Sequence, residues 1–329
     1  MDVTLLDGGF SSQIAEHVDV SVVEKGDPLW CARFLVTNKE AVINTHRDYI
    51  RAGSEIVETN SYQASIPGFM QHLNLTYEES IDLLKESVRL VKVAIEEEKK
   101  VNPKVGNEKS SLKFSNFTLD TVLVAGSVGS YGAFLADGSE YSGDFLKKVT
   151  VETIVEFHEP RIKALIEAGV DLLAIETIPA QAEAEALAEL LKKYPGIKAW
   201  ISFSCKDESR IACGDNFVTA ARSVWSKNPE QLLAIGINCL NPDFVSSLIL
   251  PIVQEIPIVV YPNKGELWDG INKKWIGQDG KKVKPLIEYV SEWLDLGVRY
   301  IGGCCRTAAP DIGKFRELIA LKKSQCNVK

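Results

Sequence analysis

The stretch Ile166-Glu-Ala-Gly-Val-Asp-Leu-Leu-Ala-Ile-Glu-Thr-Ile-Pro-Ala180 holds one complete joint of a repeating architecture. Ahead of it, Thr150–Ala168 carries apolar residues at helical spacing. Gly169 follows, and a glycine just past a helix adopts the left-handed conformation that stops it. Leu172–Glu176 then runs apolar without alternation, as expected of a strand covered on both faces in a parallel sheet. Helical spacing resumes over Pro179–Lys193. The same helix–glycine–strand joint recurs at Arg51-Ala-Gly53 and Asp295-Leu-Gly297.

Working outward gives eight short apolar runs: Val3–Leu6, Glu55–Thr59, Val122–Ser127, Leu172–Glu176, Ala199–Phe203, Ala234–Asn238, Pro257–Tyr261 and Val298–Ile301. Further helical stretches fall at Glu78–Glu98, Asp243–Val253 and Leu286–Leu296. Eight strand–helix units in 329 residues predict an α/β protein, a (β/α)8 TIM barrel forming a single domain over 1–329. An open doubly wound sheet shares these local patterns and is the alternative. Lys99–Lys113 is polar and basic, which predicts a solvated insertion at about 99–118, between the second helix and third strand. A second polar stretch, Asn272–Lys282, follows the seventh strand.

Hydrophobic residues at 45% and charged residues at 25% are those of a soluble globular protein. The net charge of -8 speaks against general nucleic-acid or membrane-surface partners. No secretory signal pattern and no long apolar span stand out, so a cytoplasmic location is expected. Seven cysteines then read as free or metal-bound thiols in a reducing compartment. The oligomeric state has no sequence signal.

A barrel of this kind gathers its chemistry at the C-terminal strand ends. Those ends bring Cys239, from the sixth strand, and Cys304 and Cys305, from the eighth, to one rim. Gly302 and Gly303 are expected to bend the chain so that both neighbouring thiols turn towards the axis. Three thiolates bind zinc tetrahedrally and leave a position open, the arrangement of a catalytic site. Competing readings are a Cys304–Cys305 disulfide and ligation by Cys205 or Cys213. Cys31, Cys205, Cys213 and Cys326 otherwise read as packing residues. His17, His46, His72 and His158 form no ligand cluster and are expected to be hydrogen-bonded or exposed. Gly126-Ser-Val-Gly-Ser-Tyr-Gly132 lacks the lysine of a P-loop and reads as a tight substrate-lining loop.

Gly302-Gly-Cys-Cys-Arg306, Ile237-Asn-Cys239, Asp7-Gly-Gly9 and Glu176-Thr177 together resemble the zinc-dependent homocysteine S-methyltransferase family, from Leu5 to about Arg316. Asp27-Pro-Leu-Trp30, Glu58-Thr-Asn-Ser-Tyr-Gln-Ala-Ser65, Gly129-Ser-Tyr-Gly-Ala133 and Leu135-Ala-Asp-Gly-Ser-Glu-Tyr141 resemble the branch using sulfonium donors. The betaine-using branch differs at Gln63 and around Trp30; Cys31 stands where the sulfonium branch leads one to expect serine. The resemblance implies one Zn2+ per chain held by Cys239, Cys304 and Cys305. It implies homocysteine as methyl acceptor, S-methylmethionine or S-adenosylmethionine as donor, and methionine as product. The partners are then small molecules, without nucleic acid or membrane.

The chemistry suits these residues. A free thiol, with a pKa of ~8.5, is mostly unreactive at neutral pH, whereas a metal-coordinating thiol is deprotonated outright. Three thiolates over-neutralise Zn2+ and keep a sulfur ligand electron-rich. A sulfonium leaves as a neutral thioether, so no acid is required, and alignment becomes the protein's main task. Glu176 is assigned to the homocysteine ammonium, since a carboxylate at a dry rim needs a cation; a structural pair with Arg or Lys is its other reading. Asp7 binds the amine or orients a ligand, and Gly8 lets substrate approach the backbone, although Asp-Gly-Gly is also an ordinary strand-ending turn. Trp30 is a candidate for the donor's cationic sulfur, or simple packing. Asn60, Ser127, Thr177 and Asn238 are further rim candidates. Two rivals remain: a hydrolase or lyase using Asp7 and Glu176 as acid and base, and a non-catalytic zinc- or thiol-binding barrel.

Overall fold

All eight apolar runs become parallel strands of one sheet in a computed structural model of the chain. It describes residues 2–21, 26–101, 112–114, 117–119, 122–265, 267–269, 274–276 and 284–326. The strands are β1 (Thr4–Leu5), β2 (Ile56–Glu58), β3 (Leu123–Gly129), β4 (Leu172–Ile178), β5 (Lys198–Phe203), β6 (Leu232–Asn238), β7 (Ile258–Tyr261) and β8 (Tyr300–Ile301). Their order is β1-β8-β7-β6-β5-β4-β3-β2, so the first and last strands in sequence are neighbours. The seam between β1 and β2 is drawn together by Glu55. Its N–H donates to the Leu5 carbonyl at 2.8 Å, and its carboxylate accepts the Leu5 N–H at 2.8 Å. The result is a nearly closed barrel rather than an open sheet.

Outside the strands lie α1 (Lys39–Ala52), α2 (Tyr77–Val101), α3 (Val151–Glu167), α4 (Gln181–Leu190), α5 (Phe217–Lys227), α6 (Val245–Ile249), α7 (Leu286–Leu296) and α8 (Ala309–Cys326). The three glycine stops are borne out: Gly53, Gly169 and Gly297 have φ of 102°, 80° and 99°. The helix expected over Asp243–Val253 shrinks to a 3-10 turn, Pro242–Phe244, and α6. Pro251 has no N–H to continue it. Lys99–Val101, placed in the polar insertion, continue α2 instead. Leu112–Phe114 pairs antiparallel with Phe117–Leu119, and residues 102–111 lie outside the described residues. In the second polar stretch, Lys274–Ile276 pairs with Leu267–Asp269, while 272–273 and 277–282 lie outside the described residues.

Two buried layers sit back to back along the strands. Val57, Val124, Leu173, Ile175, Ile201, Ile235 and Val260 pack outward against helix residues such as Leu187, Phe217 and Val290. Ile56, Leu123, Ala125, Leu172, Ala174, Trp200, Ala234, Val259 and Tyr261 fill the interior. Side chains alternate faces along a strand. Parity therefore aims Glu58, Ser127, Glu176, Ser202 and Asn238 into the mouth of the barrel. β3 runs to Gly129, so Val128 and Gly129, beyond the expected third run Val122–Ser127 and in the stretch also read as a loop, are strand residues.

Candidate metal centre and active site

Cys239, Cys304 and Cys305 converge, their sulfurs all within 4.8 Å of one another. Cys239 Sγ lies 3.7 Å from Cys305 Sγ, and Cys304 Sγ lies 4.0 Å from Cys305 Sγ. Three sulfurs bound tetrahedrally at a metal–sulfur distance of about 2.3 Å would stand about 3.8 Å apart, so the donor set fits a soft or borderline divalent metal. Cys304 and Cys305 are free thiols, not a disulfide. Among the described residues, Cys205 and Cys213 do not join the cluster; the side chain of Cys326 lies outside the described residues.

The bend that unites these thiols is not where it was expected. Gly302 and Gly303 do not take positive φ; Cys239 (φ 54°) and Arg306 (φ 70°) do. The left-handed step at Cys239, just past β6, turns its thiol inward. The glycines instead permit close packing of loops. A Cβ on Gly302 would lie 2.7 Å from the Asp7 carbonyl, and one on Gly8 would lie 2.6 Å from that of Thr307. Hydrogen bonds lace the same two loops: Gly9 N–H to Thr307 O at 2.8 Å and Gly303 N–H to Asp7 O at 3.0 Å. What closely approaches Gly8 is thus the chain's own backbone.

Beside the sulfurs lies a cavity of about 210 Å³, open to solvent, lined by Asp7, Gly8, Trp30, Glu58, Asn60, Ser127, Tyr141, Glu176, Thr177 and Arg306 among others. Asp7 and Glu176 are buried, and the main-chain N–H of Glu58 donates to Asp7 Oδ2 at 2.9 Å. Ser127 Oγ donates to Glu176 Oε1. Burial raises Asp7 and Glu58 well above the usual carboxylate range, with the Glu176 charge adding to both. Burial likewise lifts Glu176 to about 7, opposed by the Ser127 hydroxyl and a hydrogen bond with Glu58. Three carboxyl groups thus crowd one pocket, which favours a cationic guest. No Arg or Lys pairs with Glu176 among the bonds and ion pairs of the described residues.

The remaining candidates arrange this centre. Asn238 Oδ1 accepts the Thr177 N–H at 2.8 Å, and its Nδ2 donates to Thr177 Oγ1 at 2.8 Å. The pair holds Thr177 at φ 57°, directly after Glu176. Asn60 Nδ2 donates to the Cys31 carbonyl at 2.9 Å, fixing the segment that carries Trp30. Tyr141 O–H lies 3.1 Å from Cys239 Sγ. The Cys304 and Cys305 thiols hold Cys239 well below the ordinary thiol range, and that bonding raises both of them.

Sequence reasoning assigned no role to Glu58, Tyr141, Tyr261 or Arg306. Glu58 had a signal, since it shares a strand face with Ile56; Tyr141 and Arg306 stand inside the motifs quoted above and Tyr261 ends the seventh apolar run, but nothing in the sequence gave any of them a task. Of the histidines, His158 pairs with Glu183 at 2.9 Å and His17 with Asp48 at 2.7 Å. His46 corrects the expectation: it is buried, and neither ring nitrogen has a hydrogen-bond partner in the structure. Burial lowers it to about 3, so it stays neutral.

A family model described as homocysteine S-methyltransferase matches residues 4–319. The chain belongs to that family. Betaine-homocysteine S-methyltransferase of Drosophila melanogaster is 42% identical over 323 residues, covering 95% of this chain and 92% of the relative. Homocysteine S-methyltransferase 2 of Arabidopsis thaliana is 40% identical over 326 residues, covering 97% and 94%. The metallated form of the homocysteine methyltransferase MmuM of Escherichia coli superimposes with a TM-score of 0.79 at 37% identity, covering 97% and 96% of the two chains. As a member of the homocysteine S-methyltransferase family the chain is a methyltransferase, and its three cysteines suit the metal that a metallated relative carries. No described helix is long and apolar enough to cross a membrane.

Proposed function

We propose that this chain is a cytoplasmic, single-domain enzyme that transfers a methyl group from S-methylmethionine to homocysteine and holds one Zn2+ on Cys239, Cys304 and Cys305. The observation that carries this reading is the meeting of three sulfurs with Asp7, Glu58 and Glu176 in one cavity. When bound there, zinc supplies the Lewis acidity that keeps a thiol ionised at neutral pH.

The protein's own residues do the rest. Asp7 and Glu176 receive the homocysteine ammonium, and the Glu58 carboxyl stands beside them in the same pocket. Ser127 and the Asn238–Thr177 pair keep Glu176 aimed into the pocket. Tyr141 sits over Cys239 and limits water at the reacting sulfur. Trp30 offers an indole face to the sulfonium cation. Neutral methionine leaves the donor without a proton, so a mouth rich in acids but poor in histidine is sufficient. Holding sulfur, methyl and leaving sulfur in line supplies most of the rate.

A cavity of about 210 Å³ lies below the ~300–1,000 Å³ of drug-sized pockets, which favours a small donor over a nucleoside-bearing one. A betaine donor is the second reading, favoured by the name of the Drosophila relative. Incubation with homocysteine and, separately, S-methylmethionine, S-adenosylmethionine and betaine, followed by a methionine assay, tests the proposal. The expected result is methionine from S-methylmethionine, about one zinc per chain, and loss of both in Cys239→Ser. No methionine above the enzyme-free control from any donor would end the claim.

A further inference from the structure

Tyr141 is turned the wrong way for a surface tyrosine. Such a side chain ordinarily lays its ring against the protein and keeps its O–H in water. Here the residue is 36% exposed, yet its hydroxyl stands 3.1 Å from Cys239 Sγ. The elements that hold it there do so without the sulfurs. Tyr141 closes a 3-10 turn, Ser139–Tyr141. The Ser139 N–H donates to Asp137 Oδ1 at 2.9 Å, and the Glu140 carbonyl accepts the Ser204 hydroxyl at 2.6 Å. The turn packs on the short helix Tyr131–Leu135, so closely that a Cβ on Gly132 would lie 2.5 Å from the Glu140 nitrogen. That helix is moored by buried Glu183, whose Oε1 accepts the Tyr131 N–H at 2.7 Å and faces His158 Nε2 at 2.9 Å.

Resting on the three-thiolate metal site proposed above, the direction of this bond follows. A metal-bound thiolate has no proton to give, so in the 3.1 Å pair the phenol is the donor. Hydrogen bonds to an ionised acceptor are about twice as strong as neutral ones. The Asn263 side chain supplies a second bond to the same sulfur. Three thiolates over-neutralise Zn2+, and a substrate sulfur adds further negative charge. Donors that bond to the ligands rather than to the metal spread that charge and fix the ligand's orientation. Losing one typically costs about 10–100-fold in metal affinity.

We infer that Tyr141 is a positioning residue whose O–H donates to the Cys239 thiolate and holds that ligand at the metal. Tyr141→Phe removes the oxygen and keeps the ring, and far-ultraviolet circular dichroism should show the fold unchanged. Competition against a chromophoric chelator should show the zinc Kd rising about tenfold, the low end of the range, because Asn263 remains. In the cobalt-substituted protein the sulfur-to-cobalt charge-transfer bands should move to longer wavelength, since a thiolate relieved of a donor gives up an electron more readily. Unmoved bands or a wild-type Kd in Tyr141→Phe overturns the inference. Packing by the ring alone gives that result, with affinity lost only in Tyr141→Leu. A wild-type protein that binds neither metal would refute the metal centre and this inference with it. Both readouts are taken without turnover, so absence of methionine formation would refute the proposed activity separately.

Discussion

Substituting Gly9 by alanine isolates how much the metal centre depends on loop packing alone. Gly9 has φ −64° and ψ 109°, a conformation alanine adopts freely, so no backbone strain enters. The added Cβ would nevertheless lie 2.9 Å from the carbonyl carbon of Cys304, and nearer still to its oxygen. Carbon atoms rest at about 3.5–4.0 Å, so the two loops must part by roughly 0.6–1.1 Å. Metal–ligand distances tolerate about 0.2 Å. Cys304 is therefore carried out of register with Cys239 and Cys305, unless its side chain compensates at the expense of its rotamer. Zinc affinity should fall by about 100-fold or more, equivalent to ~2.7 kcal/mol. Competition against a chromophoric chelator measures the affinity, and far-ultraviolet circular dichroism confirms that the barrel persists. Gly196→Ala is the control, since a Cβ there meets no atom within 4 Å. Wild-type zinc affinity in Gly9→Ala would show that the Gly9–Cys304 contact does not set the site's geometry.

The remaining predictions concern charge. Glu176, lifted to about 7 chiefly by burial, holds its proton below that pH and can receive an ammonium only above it. Binding of methionine, the product that lacks a titrating thiol, should strengthen about tenfold per pH unit on rising towards pH 7 and level off beyond it. Glu176→Gln should flatten this profile, and a profile flat in the wild type would remove Glu176 from ammonium binding. Arg161 is buried and donates to the carbonyls of Gly129, Ser61 and Tyr62 at 2.9, 3.1 and 3.0 Å. Arg161→Met leaves these acceptors unpaired and should cost about 3–5 kcal/mol in urea unfolding; a loss under 1 kcal/mol would show that water replaces the guanidinium.

The barrel was legible because a parallel strand buried on both faces reads as an uninterrupted apolar run, and eight such runs separated by helices leave few other topologies. Boundaries suffered where polarity misled. Glu176 and Thr177 read as the end of a strand, yet β4 continues to Ile178 because the mouth of the barrel buries polar side chains. The cysteines were legible as residues, but the mechanism of their convergence was not. A left-handed turn at Cys239 or Arg306 leaves no mark in the sequence, whereas of the glycine pair that seemed to explain the bend, Gly302 makes room for Asp7 and Gly303 for the side chain of Thr307. Glu58 was passed over because its partners, Asp7 and Glu176, lie far away in the chain and only closure of the barrel brings the three together.

The strands flanking the metal centre are unequal. β8 has two residues, β1 has two and β7 four, against seven in β6. Two of the three sulfurs therefore hang from the thinnest part of the wall, and the third from one of its sturdiest staves. An ion gripped by all three would rivet β6 to β8 over the top of β7, much as a hoop tightens a cask. On this view the centre doubles as a fastening, and emptying it should loosen the wall first along β8 and β1, where Asp7 and the glycines also hang.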